Sequence, residues 1–240
     1  MINYRILDWD SAFLGYKVAM IEQGCMTPID FNNFYNNLLK LDVKLLYWPS
    51  DFDCVDQKGI VNEKNGLLVD IKTTYELKID ASISEQATSL ADIEIYQNDE
   101  ANEELLSLAV QCGAYSRFKL DPNITFNKFA EMYRTWMIKS VQGTMADDVI
   151  VFKENDQIKG VITVYIDDNI GNIGLVGVEE HSRGQGIGGK LIKAALSYFI
   201  HKGCEMVRVV TQGKNEAACK LYEKHGFYVS SKVNFYHFWV

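Results

Sequence analysis

Four glycines follow an arginine in residues 183–189, RGQGIGG. The stretch lies between an apolar run, 170–178, that predicts a strand and a segment from Leu191 whose apolar pairs recur at helical spacing until Gly203. The first turn of a helix leaves backbone N–H groups without partners and carries a partial positive charge, and glycines let an anion approach both. The arrangement therefore predicts a phosphate-binding turn.

Three phosphate-binding patterns overlap in this turn. Gly184-x-Gly186-x-x-Gly189 satisfies the dinucleotide-binding fingerprint, and the same segment is a P-loop in which Leu191 replaces the final hydroxyl residue. The dinucleotide pattern expects an acidic residue after the next strand, but strand 206–210 leads into threonine and glutamine. The P-loop lacks its hydroxyl ligand for Mg²⁺. A glycine-rich helix start without a ligand is the remaining alternative, although such glycines cost stability unless something must approach them closely.

The third pattern, Arg183-x-x-Gly186-x-Gly188 after a strand and at a helix start, resembles the coenzyme A pyrophosphate loop of the GNAT-type N-acetyltransferases. The resemblance implies acetyl-CoA as cosubstrate and no metal. Transfer of the acetyl group also needs donors for its carbonyl oxygen, and backbone N–H groups where strand 170–178 parts from its neighbour can supply them. The cofactor-binding residues predicted in this way are Val176, Val178, Arg183, Gly184, Gln185, Gly186, Ile187, Gly188, Gly189 and Asn215.

A second chemical feature lies in residues 213–227, where Asn215 opens a short predicted helix and Tyr222 follows two turns later on the same face. The segment also resembles the GNAT family, which implies that the asparagine contacts the cofactor and that Tyr222 is the catalytic general acid for the departing thiolate. Taken alone, Asn215 indicates a helix N-cap and Tyr222 a packing side chain. No histidine is placed to act as base, which leaves Glu179, Glu180 or an ordered water.

Composition and charge limit the function classes open to this chain. Its 240 residues are 48% hydrophobic, which is enough for a substantial core, and its net charge is −8. The acidic balance argues against a nucleic-acid partner, which needs clustered positive charge. The absence of a signal-like N-terminus or a bilayer-length apolar run favours a cytoplasmic protein without a membrane partner. Five cysteines without C-x-x-C spacing indicate reduced thiols rather than disulfides or zinc.

The hydrophobic pattern divides the chain into a small α/β domain, 1–80, a polar linker, 81–92, and a larger domain, 93–240. In the first unit we expect a helix that begins after Pro28, a loop over 8–15, and strands at 4–7, 17–21, 44–48 and 67–77, with Pro49 ending the third strand.

The larger unit predicts the order β-α-α-β-β-β-α-β-α-β-β, with its last two strands through 227–229 and 233–240. This order resembles that of the GNAT family. The resemblance implies an α/β GNAT acetyltransferase fold, with a mixed, mostly antiparallel sheet flanked by helices, preceded here by the smaller N-terminal domain.

Further stretches resemble the dTDP-fucosamine acetyltransferases within that family, and they are LDWDSAFLG, SRFKLDP, FAEMYRTWMIKSVQG, RVVTQGKNEAACKLYEKHG and NFYHFW. This narrower resemblance implies that the acceptor is a nucleotide-linked amino sugar of the dTDP-4-amino-4,6-dideoxyhexose type, used in surface polysaccharide synthesis. The residues expected to bind the substrate are Tyr115 and Arg117, which lie between the first two helices of the larger unit. Arg117 can pair with a nucleotide diphosphate or be a solvated surface arginine.

Two other functions stay open at this point, a peptide or protein N-terminal acetyltransferase and a non-catalytic sensor that binds coenzyme A. A homodimer is one assembly compatible with the sequence.

Overall fold

The computed structural model describes residues 2–80 and 92–240, which contain ten strands and eight α-helices. The strands are β1 (Tyr4–Ile6), β2 (Lys17–Ile21), β3 (Val43–Asp51), β4 (Leu67–Lys78), β5 (Ile93–Ile95), β6 (Asp148–Glu154), β7 (Gln157–Asp167), β8 (Ile170–Val178), β9 (Met206–Gln212) and β10 (Tyr228–Trp239). The helices are α1 (Asp8–Leu14), α2 (Pro28–Lys40), α3 (Gln57–Glu63), α4 (Glu103–Cys112), α5 (Arg117–Leu120), α6 (Phe126–Val141), α7 (Ile187–His201) and α8 (Glu216–Lys224).

These strands form one sheet in the order β1-β2-β3-β10-β4-β9-β8-β7-β6-β5. Only the β2–β3 and β8–β9 pairs are parallel among the described strands, which confirms a mixed, mostly antiparallel sheet flanked by helices. The smaller N-terminal domain is not confirmed, because β4 lies between β9 and β10 of the larger unit. The expected linker falls almost entirely on residues 81–91, which lie outside the described residues.

Helices cover both faces of the sheet because the strands present apolar side chains on both. On one face α4 and α6 bury Leu105 and Met132 against the sheet. On the other face α7 buries Leu191 and Phe199, and α2 buries Phe31. Among the residues described, no helix is long and apolar enough to cross a membrane.

Two local predictions in the N-terminal part are wrong. Residues 8–14 form α1 rather than a loop, because Asp8 and Asp10 lie in its first turn, where negative charge is favourable, and Gly15 ends it with a φ of 83°. β3 runs through Pro49 to Asp51, because its pairing with β2 ends at Tyr47 and the proline lies beyond it, paired only with β10. The short helices α3 and α5 were not predicted.

The C-terminal segment is also different from the prediction, because one long strand replaces two short ones. β10 is continuous through the polar residues 230–232, and register shifts beside Val229 and Phe235 keep it paired with β4. The polar interruption in the sequence therefore marks a bulged stretch rather than a turn.

The cysteines provide a further correction. Cys25 and Cys54 form a disulfide that joins the segment before α2 to the segment after β3, with their Cα atoms 5.6 Å apart. Cys112, Cys204 and Cys219 are free thiols, as expected. An odd cysteine count does not exclude one disulfide, and the pairing depends on a contact between distant segments that spacing does not reveal.

A buried ionisable pair fixes β10 to the segment after α5. His237 is fully buried, its Nδ1 lies 2.6 Å from Oδ2 of Asp121, and Trp239 Nε1 donates to the same oxygen at 3.0 Å. Burial lowers the pKa of His237 to about 4, so the imidazole is neutral at pH 7 and its Nδ1–H donates to the carboxylate.

We predict that this histidine contributes to acid destabilisation. The unfolded chain takes up the His237 proton near pH 6.5 and the folded chain near pH 4, so stability falls by up to about 1.4 kcal/mol per pH unit on acidification through this window. Chemical denaturation at pH 7, 6, 5 and 4.5 should show a shallower decline for His237→Asn. The exposed His201→Asn is the control, and identical slopes for wild type and His237→Asn would contradict the assignment.

Candidate active site

The parallel strands β8 and β9 separate halfway along their length. Their pairing ends at Ile173 and Val209, so residues 174–178 of β8 have no partner on that side. On its other side β8 stays paired with β7 through a bulge, where Leu175 N donates to Thr163 Oγ1 at 2.8 Å. The sheet therefore opens and exposes one row of backbone groups, as the sequence predicted for this strand.

A cavity of about 440 Å³ occupies this opening. The side chains and backbone around it come from both sheet strands, from the turn after β8 and from the helices α4, α6, α7 and α8. Its walls are formed by residues 111–115 except Gly113, with Tyr133, by 174–178, by 182–189 except Gln185, by 210–212, and by 215–222 in part.

The glycine-rich turn forms one end of the cavity. Gly184 and Gly186 have φ values of 78° and 81°, and a Cβ atom at either position would meet no protein atom within 4 Å. Gly186 is the N-cap of α7, whose first turn has no acidic residue and no side-chain cap. The free N–H groups and the open space suit a phosphate or pyrophosphate, so the residues fit the cofactor that the sequence implied.

Arg183 and Gln185 of this turn differ in their position relative to the cavity. Arg183 lines the cavity, and its Nε donates to the Val178 carbonyl at 3.1 Å while a terminal nitrogen donates to Gln111 Oε1 at 3.3 Å. Gln185 does not line the cavity, and its amide donates to the His181 carbonyl. Ile187, Gly188 and Gly189 lie at the cavity wall, as do Val176 and Val178, so the structure brings all the predicted cofactor-binding residues of this region together except Gln185.

Helix α8 and its N-cap contribute the last predicted cofactor-binding residue, Asn215, and the predicted catalytic residue, Tyr222. Asn215 caps the helix, since its Oδ1 accepts a hydrogen bond from Ala218 N at 3.2 Å, and it also lines the cavity. Tyr222 is 3% exposed and lies at the cavity wall. Burial, with smaller contributions from Cys112 and Cys219, raises the pKa of Tyr222 well above its usual value of 10. Its hydroxyl therefore carries a proton across the neutral pH range.

The two predicted substrate-binding residues lie in different environments. Tyr115 lines the cavity and is 44% exposed. Arg117 does not line it and is not a solvated surface arginine, because its guanidinium lies 4.4–5.1 Å from the ring centroids of Tyr47, Phe118 and Phe235. The candidate bases also lie outside the cavity wall, and Glu179 accepts a hydrogen bond from Ser182 Oγ at 2.9 Å, which lowers its pKa.

Several residues of the cavity were not predicted from the sequence, and Gln111, Cys112 and Tyr133 are three of them. Gln111 and Cys112 end α4, and Tyr133 projects from α6. Burial raises the pKa of both the Cys112 thiol and the Tyr133 hydroxyl to about 12. All three belong to ordinary amphipathic helices, so no local pattern distinguishes them from core residues. Among residues 2–80 and 92–240, no group of three or more His, Cys, Asp or Glu side chains could hold a metal ion.

Comparison with known proteins places these features in one family. The model of the acetyltransferase (GNAT) family matches residues 104–227, just over half of the chain. The match includes the opened strand, the glycine-rich turn, Asn215 and Tyr222.

Individual relatives match shorter stretches. A mycothiol acetyltransferase of Corynebacterium aurimucosum is 36% identical over 62 residues, which cover 26% of this chain and 20% of the relative. N-alpha-acetyltransferase 30 of Saccharomyces cerevisiae is 39% identical over 57 residues, which cover 24% of this chain and 32% of the relative. These matches therefore span a third or less of the relatives' lengths.

A solved structure resembles nearly the whole chain. The GCN5-related N-acetyltransferase of Sphaerobacter thermophilus aligns with a TM-score of 0.60 and 12% identity, and the alignment covers 98% of this chain and 75% of that protein. At this sequence identity, the structural similarity supports a shared fold and nothing about function.

We predict that Gly186→Leu weakens coenzyme A binding at least about tenfold, because a side chain would occupy the space required by the pyrophosphate and deny it charge-assisted hydrogen bonds. Isothermal titration with coenzyme A measures the effect. Gly203→Leu is the matched control, because Gly203 also has a positive φ and open space but lies at the far end of α7. Both variants should lose about 1–2 kcal/mol of stability, and equal coenzyme A affinity in the two would contradict the assigned turn.

Proposed function

Because this chain belongs to the GNAT acetyltransferase family, we propose that it transfers the acetyl group of acetyl-CoA directly to a primary amine. The observation that carries the proposal is the meeting of three features at one cavity, namely an anion-binding helix start, an unpaired strand edge and a buried protonated tyrosine. Each matches one requirement of thioester aminolysis, since the cosubstrate must be held, its carbonyl polarised and its leaving sulfur protonated.

The residues take separate roles in this proposal. The turn from Arg183 to Gly189 binds the pyrophosphate, and acetyl-CoA supplies the activated acetyl group. Backbone groups at Val176 and Val178 orient the acetyl carbonyl and stabilise the negative charge that develops on its oxygen. Tyr222 holds a proton at its Oη for the departing sulfur.

Direct attack, without an acyl-enzyme, is supported by the state of the cavity's cysteine. Cys112 lines the cavity, and burial raises the pKa of its thiol to about 12. The thiolate is the nucleophilic form, and almost none is present at neutral pH. A mechanism through an acylated Cys112 would therefore have little nucleophile available.

We predict that Tyr222→Phe lowers kcat by about 100-fold or more while the affinity for coenzyme A is retained, because only the hydroxyl group that donates the proton is removed. Thiol release and coenzyme A titration measure the two quantities. Tyr75→Phe is the matched control, because its ring lies 5.7 Å from that of Tyr222 but its hydroxyl donates to Glu223 outside the cavity wall. Full turnover in Tyr222→Phe would remove the residue from the mechanism.

For the acceptor, we propose the amino group of a nucleotide-linked amino-deoxysugar of the dTDP-4-amino-4,6-dideoxyhexose type. The support is that stretches carrying this resemblance pack against one another, and that Tyr133 of the α6 stretch lines the cavity with its ring 4.8 Å from that of Trp136. Trp9 of LDWDSAFLG lies 6.4 Å from Trp136 of the α6 stretch, and Asp121 of SRFKLDP bonds Trp239 of NFYHFW. Segments that are far apart in the chain thus converge on one region.

We predict thiol release from acetyl-CoA with at least one member of a panel of dTDP- and UDP-linked 4-amino and 3-amino deoxysugars. A basic peptide with a free N-terminus is included, because one relative is named for N-alpha-acetylation. Release with the peptide alone would replace the sugar by a peptide acceptor. Coenzyme A binding without release from any amine would favour a non-catalytic sensor.

A further inference from the structure

The last turn of α4 lies directly against the part of β8 that has no partner on the β9 side. A Cβ atom on Gly177 would lie 2.5 Å from Cys112 Sγ and 3.3 Å from the Leu108 carbonyl oxygen, so the absence of a side chain at Gly177 permits this approach. Gln111 precedes Cys112 at the end of α4, and both residues line the cavity. Helix α4 therefore brings an amide side chain to the cavity wall beside the open strand.

The backbone of Val178, the last residue of β8, faces the opening. The N–H of the next residue, Glu179, donates to the Lys159 carbonyl of β7 at 2.9 Å. Neighbouring residues of a strand direct their N–H and C=O groups to opposite sides. The N–H and C=O groups of Val178 therefore point away from β7, toward the side on which β8 has lost its pairing with β9.

Arg183 joins the end of α4 to the end of β8. Its Nε donates to the Val178 carbonyl at 3.1 Å, and a terminal nitrogen of the same guanidinium donates to Gln111 Oε1 at 3.3 Å. All three residues line the cavity. We call this arrangement of Gln111, Arg183 and Val178 the Arg183 bridge. It holds the arginine side chain at the cavity wall, immediately before the glycine-rich turn.

The bridge leaves part of the guanidinium available to an anion. Within residues 2–80 and 92–240, the Arg183 side chain forms no hydrogen bond or ion pair other than these two, so its remaining N–H groups have no protein acceptor. The turn continues to Gly186, the N-cap of α7, whose first turn has no side-chain cap. A diphosphate at this turn can therefore accept hydrogen bonds both from the helix start and from Arg183.

The orientation of Arg183 depends on hydrogen bonds rather than on burial. The side chain is exposed, and a free arginine loses rotamer freedom when it binds an anion, which weakens binding. Two acceptors restrict it beforehand, and one of them, the Val178 carbonyl, belongs to the backbone. The Gln111 amide is the acceptor that a substitution can remove. Because this amide is uncharged, its removal leaves the charge of the site unchanged.

We propose that Gln111 is a positioning residue for coenzyme A, because it holds the Arg183 guanidinium in the orientation that meets the pyrophosphate. The inference rests on the proposed function, which assigns the pyrophosphate to the glycine-rich turn. Gln111 acts through Arg183 and takes no part in the chemistry of acetyl transfer. It therefore affects the affinity for the cosubstrate and not the rate of the bound complex.

The test compares Gln111→Met with Gln142→Met. Methionine resembles glutamine in length and helix propensity, but its sulfur is only a weak acceptor. Gln142 is the exposed C-cap of α6 and lies outside the cavity wall, so it is the matched control. We expect Gln111→Met to weaken coenzyme A binding about 3- to 10-fold in isothermal titration. The KM for acetyl-CoA should rise by the same factor, with kcat within about twofold of wild type.

A double-mutant cycle with Arg183→Met separates positioning from a packing defect. Arg183→Met removes the guanidinium and should itself weaken coenzyme A binding about tenfold or more. If Gln111 acts through Arg183, adding Gln111→Met to Arg183→Met should change the affinity by less than about twofold. A packing defect at the end of α4 would instead weaken binding by the same factor in both backgrounds.

The outcomes separate this inference from the function on which it rests. Equal coenzyme A affinity in Gln111→Met and Gln142→Met, or a loss that persists in the Arg183→Met background, would overturn the role of Gln111 and leave the acetyltransferase standing. A wild type that binds coenzyme A but acetylates no amine would overturn the proposed transfer, while the titrations would still decide the role of Gln111. A wild type that does not bind coenzyme A would overturn both.

Discussion

The site depends on the point at which β8 and β9 stop pairing. Beyond Ile173 and Val209 each strand keeps one hydrogen-bonding neighbour, since β8 continues along β7 and β9 continues along β4. The opening therefore leaves one unpaired row of backbone groups on each strand and does not detach either from the sheet. The glycine-rich turn, Tyr222 and the end of α4 all surround this opening, so their relative positions follow from it.

The N-terminal part of the chain supports β9 on the side away from the opening. β4 pairs with β9 along one edge and with β10 along the other, so β9 is not an edge strand beside a cavity. The same strand reaches beyond its last pair with β9, at Lys72, and there it carries Asp70. α1 brings Asp10 to the same region, where Tyr47 lies 3.5 Å from it. The strand that completes the sheet and the carboxylates near Arg117 thus come from one part of the chain.

Some features of the fold and the site could be predicted from local sequence chemistry. The others depend on contacts between segments that are distant in the chain. Positive φ at Gly184 and Gly186 and the cap at Asn215 are local requirements, which glycine density and residue type reveal. The environment of Arg117 could not be predicted from the sequence, because it consists of aromatic rings of β3 and β10 that pack against α5. The disulfide and the single long β10 likewise depend on contacts between distant segments. The sequence pattern identified one end of the site and not the other.

The glycine-rich turn and the surroundings of Arg117 differ in how they would interact with an anion. At the α7 end, the helix start has no acidic residue in its first turn and Arg183 lies beside it, which favours an anion. Around Arg117, interaction with the carboxylates of Asp10 and Asp70 offsets part of the guanidinium charge, so it offers little attraction to a diphosphate. The charges therefore favour an anion at the start of α7 and not beside Arg117.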